Sequence, residues 1–85
     1  MLTAGQLRAA RALLGVDQKE FADKAGVSVQ TIQRMEASDG IVRGVVDSLM
    51  KVVEALDRAG IELIAEGTPS SGRGRGVRLK VPRGA

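Results

Sequence analysis

At 85 residues, 44% hydrophobic and 27% charged, the chain has the composition of one small globular domain, and its single aromatic residue, Phe21, requires an aliphatic core. The absence of cysteine and histidine excludes disulfides, thiol chemistry, Cys/His zinc sites and histidine acid–base catalysis. The net charge of +3 is uneven: residues 1–66 hold 8 Lys+Arg against 10 Asp+Glu, whereas 67–85 hold Arg73, Arg75, Arg78, Lys80 and Arg83 with no acid, so the tail is the basic part.

Thr3 begins the first predicted helix, with Gln6 at the capping-box spacing. Leu7, Ala10 and Leu14 recur on one face, and Gly15 stands where a left-handed cap is expected. Asp17 opens a second helix with Glu20 at the reciprocal capping position; Phe21, Ala22 and Ala25 form its buried stripe and Gly26 ends it. Val27 anchors the turn, Ser28 caps a third helix, and Ile32 and Met35 point inward from it. The segment "ASDGIVRG" (37–44) reads as a loop.

The fourth helix is apolar over an unusually wide arc. Val45, Leu49, Val52 and Leu56 make one stripe at heptad spacing, and Val46, Met50 and Val53 make a second beside it. After Gly60 the period changes to 2. "IELIAE" sets Ile61, Leu63 and Ala65 opposite Glu62, Ile64 and Glu66, and "GVRLKV" sets Val77, Leu79 and Val81 opposite Arg78 and Lys80. These read as a hairpin, with Glu62 and Glu66 facing Arg78 and Lys80. Its loop, "GTPSSGRGRG", is flexible by composition, and the basic "RGRG" at 73–76 lacks the flanking proline of a minor-groove hook. The last residues, 82–85, are expected to fray.

Gly26 permits the positive backbone angle of a tight helix-to-helix corner, and Ala22 lacks the bulk to hold the two helices apart. Such a corner leaves the outer face of the third helix free to enter a DNA major groove. Val29, Gln30, Gln33 and Arg34 stand on that face. Glutamine can pair with adenine, arginine with guanine, and an apolar side chain can touch a thymine methyl. Lys19 and Arg43 suit phosphate contacts better than base reading.

On "QKEFADKAGVSVQTIQRME", with Gln18, Ala22, Gly26, Val27, Ser28, Ile32 and Glu36 at the motif positions, the sequence resembles the lambda-repressor/Cro-like, or Xre-type, helix-turn-helix regulators over roughly residues 3–60. The resemblance implies a mainly α fold and DNA binding by a dimer. Gln18 would clamp a phosphate at the start of helix 2, with Ser28 also at the backbone. Val29, Gln30 and Arg34 would face bases with Gln33 nearby, and Arg11 would pair with Glu36. A hairpin stands where the family often has a fifth helix.

The expected architecture is therefore a four-helix bundle with a small C-terminal β-hairpin: residues 1–60 as the DNA-binding domain, 61–81 as the hairpin, 82–85 as tail. Two hairpins are expected to pair in a homodimer, burying Ile61, Leu63, Val77 and Leu79 against the spare Val46, Met50 and Val53 stripe, because a lone hairpin is marginal and its edges invite a further strand. The expected function is a cytoplasmic, nucleoid-associated transcriptional repressor of bacterial, phage or mobile-element type. It would occupy an inverted-repeat operator in double-stranded DNA, without cofactor or metal. The alternative is an antitoxin or anti-activator module that sequesters a partner protein. No enzyme is expected, because the acids spread over helical surfaces and no phosphate-cradling loop or metal-ligand cluster is present. No membrane span is expected, since no apolar run approaches ~20 residues, and Arg8 and Arg11 interrupt the N-terminal apolar stretch.

Overall fold

The computed structural model describes residues 2–42, 44–65, 72, 74 and 76–79, with the side chain of Leu79 excepted. Arg43, Glu66, Arg73, Arg75, Lys80 and the 82–85 tail, all assigned roles above, lie outside the described residues. Four helices, α1 (Ala4–Leu14), α2 (Gln18–Ala25), α3 (Val29–Glu36) and α4 (Val46–Arg58), precede two antiparallel strands, β1 (Ile61–Ile64) and β2 (Gly76–Leu79).

Local chemistry sets most of the boundaries. Thr3 and Gln6 close the capping box, with Gln6 N–H donating to Thr3 Oγ1 (3.1 Å) and Thr3 N–H to Gln6 Oε1 (2.9 Å). Asp17 Oδ1 accepts from Glu20 N–H at 2.7 Å, but the bond is one-way; Glu20 makes no return. Ser28 Oγ accepts from Thr31 N–H at 3.1 Å. Helices α1 and α2 end alike: Gly15 (φ 70°) and Gly26 (φ 74°) are left-handed, and the next residue, Val16 or Val27, donates five residues back to Arg11 O (3.2 Å) or Ala22 O (3.1 Å). The pattern ties off the last carbonyls and turns the chain sharply.

Leu7, Phe21, Ile32, Met35, Val52 and Leu56 are the largest fully buried side chains. Helix α1 packs on α3 and β2, α2 on α3 and α4, and α4 on β1. The 37–44 segment is more than a loop. Ile41 forms an isolated antiparallel bridge with Thr3, Val42 N–H donates to Leu2 O (2.9 Å), and Leu2 and Val42 are both buried.

Three expectations need correction. Val45 is not part of the core stripe: it is extended (φ −64°, ψ 134°), stands one residue before α4 and is 71% exposed, so the helical spacing that seemed to place it does not apply. Strand β1 ends at Ile64, so Ala65 falls outside the strand expected of it; the register is Ile61↔Leu79, Glu62↔Arg78, Leu63↔Val77 and Ile64↔Gly76, and Glu62 and Arg78 form the cross-strand ion pair anticipated for them. The face meant for a dimer contact folds onto its own bundle. Ile61 is 2% exposed inside the helical core, and Leu63 and Val77 pack against that core half-buried, while Val46, Met50 and Val53 stay open. The physical reason lies in α1. Buried Gln6 donates through Nε2 to Gly76 O (2.9 Å) and Ile64 O (3.3 Å), pinning the paired strand ends against the first helix.

A Cβ placed at Gly26 meets nothing within 4 Å, so substitution there costs backbone strain alone. Gly26→Val should lower unfolding free energy by about 1–2 kcal/mol or somewhat more, and Gly26→Asn by less, because Asn tolerates the left-handed region. Urea titration of both variants measures the difference; equal losses would point to a clash instead of strain.

Candidate nucleic-acid interface

Helix α3 is eight residues long and far below the length at which a helix is stable by itself. Ile32 and Met35 hold one side fully in the core, with Val29 partly against it, but so short an apolar side leaves rotation and tilt poorly fixed. Its last residue supplies the remaining constraint. The Glu36 carboxylate, with a side chain 5% exposed, accepts a two-pronged bond from Arg11, Nε to Oε2 at 2.6 Å and Nη2 to Oε1 at 2.8 Å. Gln18 Nε2 adds a third bond to Oε1 at 3.1 Å. Arg11 Nη1 reaches Val16 O (3.2 Å), and Arg8 Nη1 donates to the Glu36 carbonyl, where a cation also suits the negative end of the helix dipole. One residue of α3 is thus tied to α1, the α1–α2 link and the first turn of α2.

Burial works against ionisation of Glu36, but the hydrogen bonds from Arg11 and Gln18, with the positive charges of Arg11 and Arg8, outweigh it and hold its pKa below the ordinary carboxylate value. The bond to Glu36 raises the pKa of Arg11 against the opposing effect of desolvation. The pair is charged on both sides at neutral pH.

With α3 fixed in this way, Gln30, Gln33 and Arg34 are exposed on its outer side. Arg34 Nε leans toward Gln30 O (3.5 Å), which keeps the guanidinium along the helix surface. Val29, expected on the same face, is half-buried and packs partly against the core, so less of it is presented outward. Gln18 sits at the start of α2 as expected, yet its amide nitrogen already serves Glu36. Ser28 is exposed, with its hydroxyl on Thr31 N–H and 2.9 Å from Thr31 Oγ1. Lys19, next to Gln18 in sequence, is exposed. Arg8 was missed by sequence reading: a cation on the outer side of α1 carries no signal that it will meet a carbonyl 28 residues away. A groove beside this face is lined by Thr31, Arg34, Gly44, Val45 and Ser48, and the α4 N-terminus within it has no side-chain cap. Among the described residues there is no cluster of three or more metal-ligating side chains, and no helix long and apolar enough to cross a membrane.

Arg11→Met leaves the Glu36 carboxylate buried without its main partner and should cost about 3 kcal/mol, the low end for breaking a buried pair because Arg11 keeps some contact with water. Glu36 has a lower pKa folded than unfolded. Its contribution is therefore complete above the ordinary carboxylate range and is lost as pH falls through the depressed folded value. The gap between wild type and Arg11→Met should accordingly be widest at pH 7 and shrink toward pH 3, as read by urea unfolding across that range. A gap independent of pH would show that the two residues act separately.

The family model described as Helix-turn-helix (HTH_3) matches residues 7–45, from within α1 through the Gly26 corner and α3 to the edge of α4. A comparison with curated proteins gave no match. Residues 7–45 thus form a helix-turn-helix segment similar to that of the Xre, or lambda-repressor-like, family of DNA-binding transcription regulators.

Proposed function

We propose that the protein is a sequence-specific regulator that reads a double-stranded operator with α3, binds its two half-sites as a homodimer and represses by occluding a promoter. The observation that carries this reading is the pairing of an exposed Gln30–Gln33–Arg34 face with a buried network that fixes the helix bearing it. Rigid presentation matters because base reading depends on bidentate geometry, and each good pair supplies ~1–3 kcal/mol of discrimination. Exposed Lys19, next to Gln18 in sequence, and Arg8, bonded to the Glu36 carbonyl, supply positive charge for the phosphate backbone without sequence information. Gln18 joins them by way of the carboxamide oxygen or by exchanging its bond to Glu36 for one to phosphate. Promoter occlusion is the simplest output of such a protein, and a bacterial or phage cytoplasm is its natural setting. The alternative reading, an antitoxin or anti-activator that holds another protein, draws on the exposed Val46, Met50 and Val53 stripe.

Selection of bound sequences from random duplex DNA should enrich an inverted repeat with half-site centres ~10 base pairs, or ~34 Å, apart. No enrichment would move the assignment to the protein-binding alternative. On the selected site, Gln30→Ala and Arg34→Ala should relax preference at single positions by ~1–3 kcal/mol each. Lys19→Ala should instead weaken all sequences alike and flatten the salt dependence. Identical patterns from the two groups would overturn the docking of α3.

A further inference from the structure

We propose that the open stripe of α4, Val46, Met50 and Val53, is where a second copy of this chain docks, with the two α4 helices antiparallel. The proposal rests on the two-half-site reading above and replaces the hairpin as the contact. The three side chains recur at i, i+4 and i+7 and are 70%, 56% and 40% exposed, on the side of α4 away from buried Val52, Ala55 and Leu56. Isolated exposed apolar residues need no explanation, but a row of three along a 13-residue helix is a surface. It does not stop at the helix. Val53 also lines an apolar cleft with Leu2, Val42, Leu49 and Leu63, so the patch runs on to the sheet.

The charges beside the stripe identify the occupant. Asp47, Lys51, Glu54 and Arg58, all exposed, follow one another along one edge of α4 at spacings of three and four residues with alternating sign. Asp47 and Lys51 already approach each other at 3.4 Å, and Arg58 reaches Lys24 O at 3.4 Å, without losing their charge to the surface. A two-fold axis that sets α4 antiparallel to its copy brings the same edge of each helix to one side in reversed order. Asp47 then faces Arg58 of the second copy, and Lys51 faces Glu54. A parallel pairing would set like charges together. These pairs put the two-fold axis between Val52 and Val53, so exposed Val53 lies next to its own counterpart and the stripe falls in the contact.

The same register suits two half-sites. At ~1.5 Å per residue the first turn of each α4 lies ~10 Å from the axis. Each α3 adjoins that first turn, because Thr31 and Arg34 share a groove with Val45 and Ser48. Two α4 starts ~20 Å apart, each with α3 at a packing distance of ~8–10 Å, bracket the ~34 Å that successive major grooves require.

Sedimentation equilibrium of the full chain at tens of micromolar should give a dimer. Met50→Glu should weaken it by about 30-fold or more, the effect of a central interface anchor, with a melting curve that matches the wild type at concentrations where both are monomers, since Met50 is exposed. Lys51→Glu and Glu54→Lys should each weaken self-association and, when mixed, form a heterodimer, because the reversed charges again alternate across the axis. On DNA, Met50→Glu should keep its affinity for a single half-site and lose cooperativity on the inverted repeat. A wild-type monomer at 100 micromolar would overturn the proposal and leave the stripe to another protein. A dimer indifferent to Met50→Glu, or charge variants that do not recombine, would overturn the α4 register. Loss of all sequence preference in an intact dimer would instead count against the regulator reading and leave this contact standing.

Discussion

Glu36 ends α3 with a carboxylate that has almost no access to water, and a buried charge of that kind persists only when hydrogen-bonded and paired. Arg11 meets it with two parallel bonds and Gln18 with a third, while Arg8 takes the carbonyl of the same residue. The geometric constraint exceeds the net stabilisation, since desolvating both partners offsets much of their attraction. What the network contributes is orientation. An eight-residue helix with two fully buried apolar anchors gains a third fixed point at its far end, and the three points define its axis and its rotation.

The Gly26 corner and the Glu36 network therefore divide one task. The corner sets where α3 begins: Gly26 takes φ 74°, Val27 closes the turn on Ala22, and Ser28 caps the new helix three residues after the old one ends. The network sets where α3 points. The side chains of Gln30 and Arg34 are exposed and, among the described residues, form no hydrogen bond outside that helix, which leaves them open to variation without disturbing the fold. Separation of scaffold from reading face lets one bundle carry many specificities.

Features governed by contacts three to five residues apart were legible in the sequence. Thr3, Asp17 and Ser28 cap as their spacing implies, and Gly15 and Gly26 are left-handed where the periodic stripes stop. The Arg11–Glu36 pair was reached through family resemblance, not through spacing. Long-range use of the backbone was not legible. Leu2 and Val42 lie in no periodic segment, so nothing marked them as core before the bridge between Thr3 and Ile41 joined their strands. Val45 continued the heptad on paper, but periodicity has no meaning one residue outside the helix. The hairpin was recognised from its alternation, whereas its docking surface was not, because alternation says that one face is buried and not by what.

Gln6 serves two partners at very different distances along the chain. Its carboxamide oxygen completes a cap three residues away, and its nitrogen reaches carbonyls 58 and 70 residues downstream. The local half can form as soon as α1 does. The distant half must wait for a large loop to close, and until then a donor destined for burial lacks its acceptors, at a cost of roughly 1–3 kcal/mol once water is excluded. A partly folded species with the helices packed and the strands absent therefore carries both this orphaned donor and the gap left by Ile61. Such a species is disfavoured on both counts, and the first helix and the last strand are driven to form in a single cooperative transition.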